Sequence, residues 1–501
     1  MGCDARMQEE RQRRRHHHEA EVVIVGAGVL GSALAVALGE QGRSVILLEK
    51  SLKEPDRIVG ELLQPGGVQA LAELGLSDCV EDIDAIKVKG YGVRLHDQLV
   101  HIPYPTTTAS ACAAANKDKD KDNKGRQGMR AEGRTFHHGR FVSKLRARAL
   151  AHANVTVFET EAMSAITGSG GSGQVLGVRA LTAGGKERTK QADYFFGDVT
   201  IAADGYASKF RKAYSRKAPV AKSRFWGLEL VDCALPYAEH GLVSLGEQAP
   251  VLFYQIGTHE TRVLVDIPDA TSTASVAAGG VKAHLNKVVL PTLPPETQGP
   301  FLAALEKNEG GDLRSMPNSF LPATSNTTPG LVLVGDALNM RHPLTGGGMT
   351  VALNDAVLLA RLLAPSSVPD LSDTRLVRKQ LAVFHWQRKQ YAAVINILAQ
   401  ALYALFAATG DADLAHLQRG CFAYFQLGGI CVDGPIGLLG GLIRQPVVLF
   451  YHFFAVALLS IWLLFWENGL LRLPVSILQG ISVFWKACVV IFPYIFAELK
   501  S

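Results

Sequence analysis

The chain is short of charge and has no ordered arrangement of cysteines. Charged residues make up 19% of its 501 positions and the formal net charge is +5. The basic residues form no stripe interleaved with aromatics, which excludes nucleic acid as a partner. The seven cysteines (Cys3, Cys79, Cys112, Cys233, Cys421, Cys431, Cys488) contain no C-x-x-C pair. That argues against a zinc site and a secreted disulfide framework, and fits a reducing, cytosol-facing environment. Residues 1–20 lack the apolar run of a signal peptide. Gly2 and Cys3 open the chain, but Arg6 stands where acylation needs Ser or Thr. This stretch reads as a disordered basic leader, His16–His18 included.

What is present is concentrated first in EVVIVGAGVLGSALAVALGEQGRSVILLEK, residues 21–50. A β-branched run (Val22–Val25) leads into Gly26, Gly28 and Gly31 in G-x-G-x-x-G register, then an Ala/Leu-rich helix, then a second buried strand ending on Glu49. Gly26 permits a sharp turn, Gly28 leaves no Cβ between backbone and pyrophosphate, and Gly31 lets helix and strand pack closely. The helix start offers free N–H groups to phosphate, and Glu49 is placed for a ribose. The pattern predicts a dinucleotide site and leaves open FAD or NAD. The loop that follows carries Arg57, Glu61 and Gln64 and is placed to line the cofactor.

Further along, residues 87–105 alternate apolar and polar about His96–Asp97, predicting a hairpin. Residues 106–130 are a low-complexity insertion too polar to bury surface, expected to be disordered. A loop feeding a basic helix (residues 135–149), a short strand (Val155–Phe158), a Gly/Ser-rich hairpin and an Asp204–Gly205 turn follow. Residues 224–268 suggest an antiparallel sheet. Then GLVLVGDALNMRHPLTGGGMTVALND repeats the opening logic of strand, Gly–Asp turn, glycine loop and helix. Val447–Trp466 is twenty residues without a formal charge, and residues 473–496 are comparable apart from Lys486. These predict membrane attachment, either as a spanning hairpin or as a pair lying in one leaflet.

The three glycine segments together resemble the FAD-dependent monooxygenases of the para-hydroxybenzoate hydroxylase type. Within these, KEPDRIVGELLQPGG, GRTFHHGRF, ADGYASKFRK, GDALNMRHPLTGGGM and CFAYFQLGGICVDGPIGLL resemble the squalene epoxidase family in its fungal form. The likeness runs from about Glu21 to the end, outside the insertion. It implies an α/β fold: a Rossmann-type FAD domain from residues 21–86, 131–215 and 320–365, and an antiparallel-sheet substrate domain from 87–105 and 216–319. Residues 366–501 would form the membrane-associated helical region.

Residue by residue, the resemblance implies that Val29 and Leu30 lie over the pyrophosphate and Glu49 holds the ribose. Lys50 stands beside Glu49 where many members have Arg. Arg57, Leu62 and Arg140 line the cofactor, and Thr156 offers a backbone contact near the adenine. Asp204 belongs to the second cofactor segment. Asp336 reaches the ribitol and pyrophosphate, and Gly346, Gly347, Gly348 and Met349 face the isoalloxazine. Tyr91, partnered by Gln64, stands beside flavin and substrate as the catalytic pair; no metal is expected. The implied activity is epoxidation of squalene to 2,3-oxidosqualene for ergosterol synthesis, using O₂ through a flavin hydroperoxide. The resemblance also implies electrons from a membrane-bound NADPH-cytochrome reductase and a place on the endoplasmic reticulum membrane with the catalytic domain facing the cytosol, with lipid droplets as a further site. Two rivals stay open: a flavin hydroxylase of another lipophile such as a ubiquinone precursor, and a flavin-free prenyl-protein escort of the same fold.

Overall fold

The computed structural model describes residues 9–106, 129–168, 173–183, 190–246, 248–307, 313–408 and 410–500. Its first sheet is built from β1 (Glu19–Val25), β2 (Val45–Glu49), β8 (Val155–Thr167), β9 (Val175–Ala183), β10 (Lys190–Ala202) and β16 (Leu331–Leu333). The parallel part runs β8–β2–β1–β10–β16. The run expected as a four-residue strand extends through Thr167, because β8 and β10 serve twice. Their inner halves lie in the parallel sheet, and their outer halves pair antiparallel with β9. Helix α1 (Val29–Glu40) makes the crossover from β1 to β2 and is buried on nearly every side. Small residues let it lie so close to its neighbours: a Cβ on Gly31 would sit 1.9 Å from the Gly26 carbonyl oxygen.

The second sheet has the order β15–β11–β14–β13–β12–β5–β6. Its strands are β5 (Gly90–Leu95), β6 (Gln98–Pro103), β11 (Val220–Val231), β12 (His240–Leu245), β13 (Val251–Gln255), β14 (Glu260–Pro268) and β15 (Arg314–Phe320). β5 and β6 form the hairpin expected about His96, which takes a positive φ of 53° at the turn. The sheet is antiparallel except at one seam, where β12 runs parallel to β5. Those strands come from distant parts of the chain, so no hairpin dictates their direction. A small third sheet, β3 (Leu62–Leu63), β7 (Gly133–Thr135) and β4 (Ile86–Val88), lies between the other two in the chain path.

Helices α2 (Pro65–Glu73), α3 (His138–Ala151) and α4 (Lys209–Tyr214) connect these strands. Phe301 and Leu305 of α5 (Pro295–Lys307) join the core beneath β11 and β14. After α6 (Gly348–Leu362) come α7 (Thr374–Phe406), α8 (Ala412–Gln426), α9 (Ile430–Leu439), α10 (Pro446–Asn468) and α11 (Leu473–Lys500). α8 and α9 meet at 111°, and α10 and α11 are each long and apolar enough to cross a membrane.

Two expectations change. The leader was expected to be disordered to Ala20. Residues 9–17 are instead helical and β1 already begins at Glu19. Arg14 anchors this helix, fully buried, by donating to Thr156 Oγ1 at 3.0 Å and the Ala153 carbonyl at 2.7 Å. Of the insertion, Thr106 and Arg130 pair as a bridge, while residues 107–128, like residues 1–8, lie outside the described residues.

A buried ion pair ties the second sheet to the loop that leads into β3. Arg262 on β14 donates to both oxygens of Glu61 at 2.9 Å each, and Tyr254 on β13 donates to Glu61 Oε2 at 3.3 Å. Glu61 and Arg262 are 1% and 6% exposed, so removing one partner strands a charge. Glu61→Ala is expected to cost about 3–5 kcal/mol, read as a lower urea midpoint. The double variant Glu61→Met/Arg262→Met should recover much of that loss. An unchanged midpoint for Glu61→Ala would contradict the role.

Candidate active site

A cleft of about 730 Å³ opens where the carboxyl ends of β1 and β2 face the second sheet. That volume lies in the usual range for a ligand site. β1 delivers Gly26, whose φ of 99° and close approach to the Ala203 carbonyl exclude any side chain. Gly28 caps α1, and a Cβ built there meets nothing within 4 Å, so space lies open above this backbone. Val29 and Leu30 border the same space. No side chain caps α1 and no acid stands in its first turn, so its N–H groups and positive dipole end face the cleft uncompensated. At the opposite wall α6 begins the same way, at Gly348, also without side-chain cap or acid.

Glu49, at the end of β2, borders the cleft and accepts from Ala27 N at 2.8 Å and Ser51 N at 3.2 Å. Its carboxylate faces Arg146 Nη2 at 3.4 Å. Arg146 in turn donates to the carbonyls of Ala27 (2.8 Å) and Lys53 (3.0 Å). One guanidinium thus joins both ends of the dinucleotide motif. Lys50 is exposed at the cleft edge, and Arg57 stands 5.8 Å from the Tyr206 ring at its mouth.

Asp336, after β16, opens onto the cleft. The surrounding protein mass raises its carboxyl pKa, while Arg341, Arg57 and Arg211 pull the other way. Arg341 borders the cleft too; burial pushes its guanidinium down to about 10, still charged at neutral pH. Its Nε finds no protein partner, nor does Oδ1 of Asp204, whose Oδ2 accepts from Lys209 N at 2.9 Å to hold the start of α4.

Leu62, Gly346 and Met349 bring the cleft to the second sheet. There Gln64, fully buried, donates from Nε2 to the Tyr91 hydroxyl at 2.6 Å and to the Thr345 carbonyl at 2.6 Å. Burial raises the pKa of Tyr91, so it is a neutral phenol at physiological pH. His138 Nδ1 donates to the Gly60 carbonyl (2.8 Å), and burial lowers its pKa to about 4. His342 stacks on Tyr403 and is lowered to about 3. Both are neutral scaffold.

Three expected residues stand elsewhere. Arg140 does not border the cleft; its guanidinium turns to the Ile83 carbonyl (3.4 Å) and Asp84 (4.0 Å). The reason is helical phase: His138, Val142 and Arg146 of α3, spaced by four, face the cleft, and Arg140 points away from them. Thr156, expected to offer a backbone contact, does not border the cleft: β8 reaches it further on, at Thr160–Ala162, and the Thr156 hydroxyl accepts from Arg14. Gly347 turns from the cleft toward Ile395, whose Cγ2 a Cβ there would meet at 2.5 Å. Gly31 serves from beneath, packed on Gly26. Sequence reasoning missed Arg146, Arg341 and the buried Tyr104; the four-residue spacing in the basic helix was the available signal for Arg146.

Comparison with known proteins decides the family. The squalene epoxidase family model matches residues 196–478, more than half of the chain. The chain is 60% identical over 479 residues to squalene epoxidase erg1 of Aspergillus fumigatus, covering 96% of this chain and 94% of that protein. The chain belongs to the squalene epoxidase family.

It is also 48% identical to squalene epoxidase ERG1 of Gibberella zeae (96% and 95% covered), and 41% identical to squalene epoxidase 3 of Arabidopsis thaliana (95% and 84% covered). An FAD binding domain model matches residues 19–240. Among solved structures, p-nitrophenol 4-monooxygenase PnpA from Pseudomonas putida superposes with a TM-score of 0.63 at 18% identity, covering 85% of this chain and 99% of that one. PqsL, a probable FAD-dependent monooxygenase from Pseudomonas aeruginosa, gives 0.60 at 20%, covering 78% and 97%. Both share the fold. The cofactor is FAD, and the residues fit it. Two uncapped helix starts suit a pyrophosphate, Gly28 leaves room for it, and the unpartnered Arg341 Nε and Asp204 Oδ1 await polar groups in the cleft.

The glycines separate folding from binding. Gly28→Ala is expected to leave the thermal midpoint of the FAD-free protein unchanged and to weaken FAD binding at least about tenfold in a fluorescence titration, since a methyl fills cofactor space. Gly31→Ala should abolish accumulation of folded protein, because its methyl would meet backbone. Equal FAD affinity for Gly28→Ala would contradict this placement of the pyrophosphate.

Proposed function

We propose that this protein converts squalene to 2,3-oxidosqualene in sterol synthesis, inserting one atom of O₂ and releasing the other as water with two electrons from NADPH. The observation that carries this reading is the junction at Tyr91. The polar, glycine-lined cofactor end of the cleft passes directly into a wall of Leu242, Leu252, Phe253, Leu264, Met316 and Leu344. A hydrocarbon offers no hydrogen-bonding handle, so shape and burial must orient it, at roughly 0.8 kcal/mol per buried CH₂. FAD, when bound, supplies the two-electron activation of O₂.

The chain's own residues do the rest. The uncapped starts of α1 and α6, with Glu49, Arg146, Arg57 and Asp336, hold the cofactor. The apolar wall excludes water and presents one double bond at the cofactor's reacting face. Tyr91, neutral and anchored by Gln64, is the hydroxyl at that face and the residue we assign to catalysis with Gln64.

We further infer that α10 and α11 dock the cleft on a bilayer, of the endoplasmic reticulum with the catalytic part toward the cytosol, and that a membrane-bound NADPH reductase delivers the electrons. Leu478, Ile481 and Trp485, 62–69% exposed, share one face of α11, and Trp462 and Trp466, 64% and 79% exposed, project from α10. Substrate dissolved in lipid then reaches the cleft without crossing water.

Purified protein given squalene, O₂, NADPH and reductase is expected to yield oxidosqualene; no product would remove this reading. Tyr91→Phe should lower turnover about tenfold or more, about 1.4 kcal/mol, with FAD content unchanged. Replacing Leu478, Ile481 and Trp485 by Ser should move the protein from the membrane pellet to the supernatant after a high-salt wash.

A further inference from the structure

Both donor positions of the Gln64 amide are taken, and its oxygen accepts once. Nε2 donates to the Thr345 carbonyl and to the Tyr91 hydroxyl, and Oε1 accepts from the Tyr104 hydroxyl. A peptide carbonyl can only accept. The amide nitrogen must therefore face Thr345, and Tyr91 stands on that same side. Gln64 gives Tyr91 a proton rather than taking one, so the Tyr91 O–H is not spent on the amide.

Tyr104 differs from Tyr91 in burial: it is 0% exposed and does not border the cleft, whereas Tyr91 does. The two rings stand edge to face with 6.0 Å between centroids. Tyr104 is firmly held. Its backbone N–H donates to the Lys89 carbonyl at 2.9 Å, its carbonyl accepts from Arg130 at 2.8 Å, and its ring lies against Gly440. No part of the cofactor motifs needs a phenol at this depth, and a phenylalanine would fill the same volume.

We propose that Tyr104 is a positioning residue: by donating to Gln64 Oε1 it locks the amide, so that Tyr91 is fixed by a donated N–H and its own proton is kept off the amide, within reach of the Tyr104 hydroxyl at rest and turned to an oxygen in the cleft when one is bound. The group recognised by Tyr91 is then a neutral hydrogen-bond acceptor, of the kind an epoxide oxygen presents. This rests on the epoxidase reading for what lies in the cleft, but the geometry of the three side chains does not.

The test is Tyr104→Phe, which removes one hydroxyl and keeps the ring. It is expected to lower kcat about fivefold or more with KM and FAD affinity changed less than about twofold. In a Tyr91→Phe background the same change should cost less than about twofold, because Tyr104 acts through Tyr91. In FAD-free protein carrying 3-fluorotyrosine at position 91, Tyr104→Phe should shift the fluorine NMR signal. Should Tyr104→Phe not fold, Gln64→Glu serves instead: a carboxylate has no N–H for Tyr91, so it should lose turnover and be equally silent over Tyr91→Phe. Losses that add in either double variant, or an unmoved fluorine signal, would overturn the proposal. A wild-type protein that makes no oxidosqualene but shows the fluorine shift would sink only the epoxidase reading.

Discussion

One short segment, Gly60–Gly66, has to satisfy five separate parts of the molecule at once. The Gly60 carbonyl accepts from His138 at the start of α3, Glu61 is gripped by Arg262 of the second sheet, and Leu62–Leu63 pair with β7. Gln64 joins Tyr91 to the loop before α6, and Gly66 N donates to the Gly440 carbonyl at the end of α9 at 2.8 Å. Burial makes these contacts obligatory, because an unmade hydrogen bond inside costs far more than a made one gains. The Glu61–Arg262 pair is the most demanding of them. It fastens β14 of the second sheet to the segment that borders the cleft.

A second buried polar system does the same for the far wall. Asn339 Oδ1 accepts from Arg341 (2.9 Å), Arg388 (3.1 Å) and Asn396 (3.1 Å), and Asn396 passes a further N–H to Glu498 at 2.8 Å. Arg388 also pairs with Asp355 at 2.8 Å. Two buried guanidinium groups are balanced by carboxylates from α6 and from the last turn of α11. Removing one member of such a network would strand a buried charge. Here the arrangement fastens the end of the apolar helical hairpin to the loop that carries Asp336 and Arg341. The helices that carry the largest exposed apolar faces are thus part of the frame around the cofactor, rather than an appended anchor.

The glycine register, the crossover helix and the β5–β6 hairpin were legible because their causes are local. A positive φ, a missing Cβ or an alternation of period two is written within a few residues. Tyr91 and Gln64, paired through family resemblance, do meet at 2.6 Å. Arg140 and Arg146 show where local reading runs out. Both lie in one basic stretch, and only the phase of α3 against the sheet turns Arg146 to Glu49 and Arg140 to Asp84. Thr156 and Arg14, 142 positions apart, illustrate the same point: a leader that looks unstructured acquires a buried arginine because a distant strand supplies its acceptor.

The sequence alone therefore determined the fold class, the cofactor segments and the apolar hairpin, since backbone constraints and hydrophobic runs act on immediate neighbours. Tertiary structure decided which side chains share the cleft, the parallel seam between β12 and β5, and the single orientation of the Gln64 amide. Each of these depends on partners brought together from far along the chain, where burial leaves few ways to pair the polar groups that meet.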